Sequence, residues 1–278
     1  MTQAPVQNMW QFAVVHGFFV RFPFVLGSRT FDPNEFQVAL NSTTTEDDLL
    51  YVIVRGLLKQ LLVKTAVTHD TWHTTLHKYL ISHQSTTPWL PADMVDWVSQ
   101  GSSDFSAYPS SHKLLLVWFL CEMVLVNGRD IHQFIDTEMK KPLNKQSTSP
   151  RFVVEPFYAD SKHYYYYFDD QSPWVYRQTD PFEDPVIWEV VTTSLEELND
   201  LISKLALSKN RNQRLLHREL SAKIRPGAEA KLAKKQQLEK AKVRTALLHR
   251  DAEILETRTR GRKPNVSYNF DDTWMDDI

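Results

Sequence analysis

Glycine is the residue that most constrains what this chain can become. It occurs seven times in 278 residues, where average usage of roughly 7% would supply about 19. The glycines stand at positions 17, 27, 56, 101, 128, 227 and 261, so the closest pair is ten residues apart. A dinucleotide fingerprint (G-x-G-x-x-G) or a phosphate loop (G-x-x-x-x-G-K-[ST]) needs glycines two to five apart, so that backbone N–H groups can approach a phosphate. Neither can be built here, nor can the G-x-S-x-G nucleophile elbow. The single Cys121 rules out a disulfide framework and a cysteine-based zinc site. Scarce glycine also suits a helix-dominated scaffold with few tight turns.

Charge is the second constraint. The formal net charge of −2 conceals a strong segregation. Residues 1–203 carry 14 Lys/Arg against 24 Asp/Glu, a net of −10. Residues 204–263 carry 18 against 6, a net of +12, and residues 264–278 add four aspartates. The pattern is an acidic body, a basic arm and an acidic tip. A charge run is most often a solvated helix face, but this concentration equally suits contact with a polyanion. Hydrophobic content of 42% argues for a folded chain. The longest apolar run, residues 114–126, is broken by Glu122 and reads as too short for a membrane span. The first residues lack the basic region and cleavage site of a signal peptide, and scarce cysteine favours a reducing compartment, cytosol or nucleus.

Along the chain, residues 9–22 place apolar side chains at helical spacing. Asp32 as N-cap, Pro33 at the first helical position and Glu35 as capping-box partner open a second helix to about residue 40. Residues 46–64, with the stripe Leu50, Val54, Leu57, Leu58 and Leu61, predict a third, and residues 70–82 a fourth. Residues 84–108 read as a loose connection. Residues 110–126 form the most hydrophobic helix, stopped by Asn127-Gly128 in a left-handed turn, followed by a short helix at 131–139 and a boundary loop at 140–150. The run Tyr164-Tyr165-Tyr166-Tyr167, then Trp174-Val175-Tyr176-Arg177, predicts a β-hairpin, with residues 188–191 as a third strand. Ser194-Leu195-Glu196-Glu197 is a second capping box, opening a helix to about 207. Residues 226–257 predict a long exposed basic helix, and residues 258–278 lack periodicity and read as a tail disordered until bound. The expected fold is therefore mainly α: a helical bundle with a small β-hairpin insert and a long basic C-terminal helix.

Catalytic and metal constellations read weakly. His69, His73 and His77 share one helix face at i, i+4 and i+8, yet three ligands along one straight helix seldom converge on one ion. Asp169-Asp170 and Glu183-Asp184 fall in turns, where aspartate is favoured for local hydrogen bonds. Cys121 sits mid-helix among apolar residues, as a buried inert thiol would. No catalytic residue, metal ligand or cofactor is assigned.

The strongest local signal is Arg258-Thr259-Arg260-Gly261-Arg262-Lys263-Pro264. An extended Arg-Gly-Arg core can enter the narrow minor groove of A·T-rich DNA, since glycine removes obstruction at the groove floor. The segment resembles an AT-hook, with Lys263 where the usual core has proline; short basic motifs also serve as nuclear-import signals. Arg258, Arg260, Gly261, Arg262 and Lys263 are the candidate DNA contacts. Beyond them, Tyr268, Phe270, Asp271, Asp272 and Trp274 interleave aromatics with acids, a composition suited to capping a basic histone surface or to a solubilising tail.

The order of segments carries a family resemblance. Gln11-Phe12-Ala13-Val14-Val15-His16-Gly17-Phe18-Phe19, then Phe31-Asp32-Pro33-Asn34-Glu35-Phe36-Gln37-Val38-Ala39-Leu40, then residues 49–62, resemble a DDT domain, a helical module of chromatin-remodeller subunits. Lys113-Leu114-Leu115-Leu116-Val117-Trp118-Phe119-Leu120-Cys121-Glu122 is similar to the first segment of the WHIM motif. Residues 155–168, Val175-Tyr176-Arg177, Trp188-Glu189-Val190-Val191 and Ser194-Leu195-Glu196-Glu197-Leu198 are similar to its later segments. The organisation this suggests is a DDT-like domain at 1–83 and a linker with the first WHIM-like helices at 84–150. The later WHIM-like segment follows at 151–207, the basic arm at 208–257 and the tail at 258–278. The resemblance implies a nuclear, non-catalytic accessory subunit that binds an imitation-switch (ISWI) type ATPase. It also implies that the acid of a Gly-x-Asp signature meets that ATPase. Asp160 matches the acid, while Tyr158 stands at the glycine. Alternatives are a free-standing AT-hook-like DNA-binding regulator and a chaperone-like factor that binds histones. DNA or nucleosomes, and histones, are the further partners expected; a membrane is not.

Overall fold

The structure is a computed structural model that describes residues 5–42, 48–62, 66–83, 87, 94–100, 108–142, 152–160, 162–182 and 185–259. The chain divides into two units, Met1–Glu229 and Ala230–Ile278.

The first unit begins with α1 (Trp10–Arg21), α2 (Pro33–Asn41) and α3 (Asp48–Leu61). Asp32 caps α2 as its sequence requires, its Oδ1 accepting from the Asn34 N–H at 2.9 Å. Glu35, expected to reach back to the cap, pairs with Arg29 at 3.4 Å. Next come α4 (Trp72–His83), α5 (Met94–Gln100), α6 (Ser110–Asn127) and α7 (Arg129–Met139). Helix α5 corrects the reading of 84–108 as a loose connection. Met94 and Val98, one turn apart, are 0% and 2% exposed, so a short apolar face held by tertiary packing outweighs the prolines around it.

Helix α6 has the length and apolarity of a membrane span, contrary to the expectation that its run is too short. Its apolar surface nevertheless forms the middle of the bundle, against α1, α2 and α3, with Leu114, Val117, Leu120 and Val124 fully buried. The buried Lys113 donates from Nζ to the Ser42 carbonyl at 2.7 Å, placing a cation at the C-terminal end of α2, where the helix dipole favours one. The expected left-handed stop at Gly128 is replaced by an extended residue, φ −73° and ψ 109°. Gly128 closes α6 and at once serves as N-cap of α7, and an N-cap needs the β region. A Cβ there would lie 2.4 Å from the Val124 carbonyl oxygen.

The expected hairpin is a four-stranded antiparallel meander, β1 (Tyr158–Ala159), β2 (His163–Tyr166), β3 (Val175–Thr179) and β4 (Trp188–Thr192), in sequence order. Strand β1 is two residues long and has no periodicity to read. Strand period two sorts the tyrosine run between two cores. Tyr164 and Tyr166 pack with Trp174, Tyr176, Trp188 and Val190 into the helical bundle. Tyr165 and Tyr167 pack with Val175 and Val191 on the opposite face, against α8 (Leu195–Ala206) and the segment after it. The sheet is thus a middle layer, apolar on both faces. Ser194 caps α8 through Oγ to the Glu197 N–H at 3.2 Å, and Glu197 reaches back to the Thr193 N–H at 2.7 Å.

After α8 the chain forms α9 (Arg211–Glu219), a π turn (Leu220–Ile224) and α10 (Arg225–Thr259). The π turn has a readable cause. Leu216, Leu220, Ile224 and Ala228 recur every four residues and are all buried in the second core. On a pure α-helix each such step overshoots a turn by about 40°. One wider turn, taking about one residue more, rotates the stripe back.

Candidate partner-binding surfaces

Asp160 lies in the turn joining β1 to β2. Its Oδ1 accepts from the backbone N–H groups of Lys162 and His163, both at 2.8 Å. Its own N–H donates to the His163 carbonyl at 2.9 Å, and His163 Nδ1 is 3.7 Å from the carboxylate. With 19% of its side chain exposed, Asp160 holds the turn. An aspartate two residues before a free N–H is a local signal for this role, and the sequence displays it. Tyr158, standing at the glycine of the Gly-x-Asp pattern, pairs with Tyr165 across the ladder and donates its hydroxyl to the Asn212 carbonyl of α9 at 2.7 Å. Burial first, then the charges of Asp160 and Tyr165, push the Tyr158 phenol above its ordinary value. The tyrosine therefore ties the sheet to α9, a contact glycine cannot make.

Behind the sheet, α1 and β3 are joined by a buried polar pair. His16 Nδ1 lies 2.8 Å from the Tyr176 hydroxyl, across 160 residues of sequence. The imidazole is 1% exposed and the phenol 0%, with Phe31, Phe168 and Trp174 packed around them. Burial pushes the Tyr176 phenol well up. Sequence reading placed His16 within an apolar helix but had no signal for its partner.

The other sequence candidates separate. His69 precedes α4, correcting its place on that helix, and its ring meets Tyr51 edge-on at 4.7 Å. His73 Nε2 is 3.4 Å from the Tyr108 hydroxyl; burial, then His77, hold it below the usual histidine range. Among the described residues no group of three or more His, Cys, Asp or Glu is placed to hold a metal ion. Asp169 Oδ1 accepts from the Gln171 N–H at 2.9 Å, as a turn aspartate does; residues 183–184 lie outside the described residues. Cys121 is fully buried, and burial with the adjacent Glu122 charge raises its thiol well above the ordinary range.

In the second unit, residues 230–247 of α10 are exposed throughout. They carry six Lys/Arg and a single acid, Glu239. At about 100° per residue, Lys231, Lys234, Lys235 and Lys242 fall within an arc of roughly 100° on one side of the helix. This stripe was legible in the three- and four-residue spacings, yet the sequence reading singled out only the motif beyond it. Arg258 belongs to α10, which corrects the reading of a disordered tail beginning at residue 258. Arg260, Gly261, Arg262 and Lys263 lie outside the described residues, as do Tyr268, Phe270, Asp271, Asp272 and Trp274.

With this geometry in place, comparison with known proteins adds a relative. The chain is 25% identical, over 303 aligned positions, to the DDT domain-containing protein DDR4 of Arabidopsis thaliana. The similarity is to a DDT domain-containing protein. It covers 96% of this chain and 38% of the relative's length, so the chain spans well under half of the protein it matches. No family model and no solved structure matches the chain. The likeness supports the DDT-domain reading.

Proposed function

We propose that the chain is a nuclear, non-catalytic accessory subunit of an ISWI-type chromatin remodeller. Its acidic first unit docks on the ATPase, and its basic arm contacts nucleosomal or linker DNA. The observation that carries this reading is the likeness to a DDT domain-containing protein across 96% of the chain. The charge distribution supports the DNA half. A helix with four lysines on one stripe, exposed over 230–247, lines up cations for a phosphate backbone, whose contacts give affinity without reading base sequence. The WHIM-like order of residues 113–198 supports the ATPase half.

Affinity purification of the tagged full chain from nuclear extract, followed by mass spectrometry, tests the reading. Recovery of an ISWI-type ATPase at near-stoichiometric level is expected. Recovery of histones or DNA-bound regulators without any such ATPase overturns it in favour of a chaperone or a free-standing regulator.

A further inference from the structure

Helix α9 presents a face whose sign is opposite to that of the body it packs on. Residues 1–203 have a net charge of −10, yet residues 201–218 carry five Lys/Arg and no Asp or Glu. At about 100° per residue, Arg211, Arg214, Leu215 and Arg218 fall within an arc of roughly 100° on one side of α9. All four are exposed, Leu215 at 43%. Leu216, outside the arc, is 2% exposed and holds the helix in the second core. Among the described residues none of the three arginines is in an ion pair. Glu219, the acid that follows them, is taken by Lys223 at 2.6 Å.

This face is fixed in place. In the turn before α9, Ser208 Oγ accepts from the Asn210 N–H at 3.0 Å and donates to Gln213 Oε1. Asn210 caps α9, its Oδ1 accepting from the Asn212 N–H at 2.9 Å. The Tyr158 hydroxyl fastens the Asn212 carbonyl to the sheet at 2.7 Å. A backbone already ordered leaves less conformational freedom for binding to remove.

Its chemistry differs from that of α10. The α10 stripe is made of lysines, compact charges that suit a phosphate backbone, whereas α9 interleaves arginines with leucine. Arginine offers a planar fork that pairs bidentately with a carboxylate. It is also enriched at protein interfaces, where lysine is depleted. A lone exposed leucine is ordinary; among unpaired arginines it adds an apolar contact that a protein partner can fill.

We infer that this face is a docking site for an acidic protein segment, with Arg211, Arg214 and Arg218 meeting its carboxylates and Leu215 an apolar side chain. Charge complementarity selects the partner and repels basic surfaces. The inference rests on the proposed function, and identifies the segment as part of the remodeller ATPase. The first unit then grips the ATPase through a cationic face and not through its acidic bulk.

The test titrates a purified, nucleic-acid-free ISWI-type ATPase into the full chain by calorimetry. The variants are Arg211→Gln/Arg214→Gln/Arg218→Gln, the same three positions changed to lysine, and Leu215→Ala. Circular dichroism and thermal midpoints confirm that these exposed substitutions leave the fold intact. The glutamine variant is expected to weaken binding at least about tenfold and to flatten its salt dependence. The lysine variant, which keeps the charge and loses the fork, should weaken it by about threefold or more, and Leu215→Ala by about fivefold. Wild-type binding with the glutamine variant unchanged overturns the docking face and leaves the proposed function standing, as does a glutamine variant that loses affinity for a 30-base-pair duplex alone. A lysine variant equal to wild type overturns recognition through arginine forks. Absence of wild-type binding overturns both the face and the proposed function.

Discussion

Replacing Tyr176 by phenylalanine removes one oxygen from the middle of the first unit and leaves its shape unchanged. The hydroxyl is fully buried, and it lies 2.8 Å from His16 Nδ1. A hydrogen bond between neutral groups is worth a net of about 1 kcal/mol, and depriving a buried polar atom of its partner adds a desolvation cost, for a total of about 1–3 kcal/mol. Because β3 and α1 share one apolar core, the loss should be felt by the whole of residues 1–229 and not by the sheet alone. Urea unfolding of the full chain, followed by tryptophan fluorescence and far-ultraviolet circular dichroism, should shift to a lower midpoint in both signals together. A double-mutant cycle with His16→Leu isolates the pair. The double variant should cost at least about 1 kcal/mol less than the sum of the singles, since it leaves neither polar group stranded. A loss below about 0.3 kcal/mol for Tyr176→Phe, the level at which independent sites cannot be told apart, would show that the pair contributes nothing to stability. Fluorescence and circular dichroism transitions that separate would show that residues 1–229 do not unfold as one unit.

Other outcomes follow from the same contacts. Gly17→Ala places a Cβ 2.5 Å from the Phe168 ring; overpacking of this kind should cost about 1–3 kcal/mol in a urea titration. Asp160→Asn keeps an oxygen acceptor for the turn and should leave the thermal midpoint near wild type. Asp160→Lys removes the acceptor and should lose about 1 kcal/mol, so only the asparagine variant reads the charge alone in a binding assay. Alkaline stability follows the tyrosines. Burial raises Tyr176 well above its ordinary value and pushes Tyr79 up to about 12. From about pH 10 upward the unfolded chain sheds these protons while the native state keeps them. Their stabilisation is therefore full below about pH 10 and lost as pH rises further, and urea midpoints should be flat from about pH 8 to 9.5 and fall beyond.

The sequence disclosed what is decided locally. The caps at Asp32 and Ser194 were readable because a side chain and a backbone N–H two or three residues away settle them without help from the fold. The tyrosine run was readable as strand, but not its division between two cores, which depends on what covers each face of the sheet. Helix α5 was missed because its seven residues are too few for an apolar spacing to be read. Asp160 was singled out by the family resemblance, and the turn that its Oδ1 closes, a role its local spacing also displayed, was passed over. The exposed Phe182 was passed over, since a lone phenylalanine between prolines and acids gives no sign of whether it is covered. The basic arm was read as a sum of charges, although the spacing of its lysines already marked one helix face.

In the proposed function one chain couples an ATPase to DNA through separate surfaces. The most direct test measures the affinity of an ISWI-type ATPase for duplex DNA alone, with the wild-type chain, and with a variant carrying Lys231→Gln, Lys234→Gln, Lys235→Gln and Lys242→Gln. The wild-type chain should tighten the complex. The variant should still bind the ATPase, lose that gain, and lower the slope of log affinity against log salt by up to about four, near one per phosphate contact removed. A variant that tightens DNA binding as well as wild type, with an unchanged slope, would remove the lysine stripe from the DNA interface.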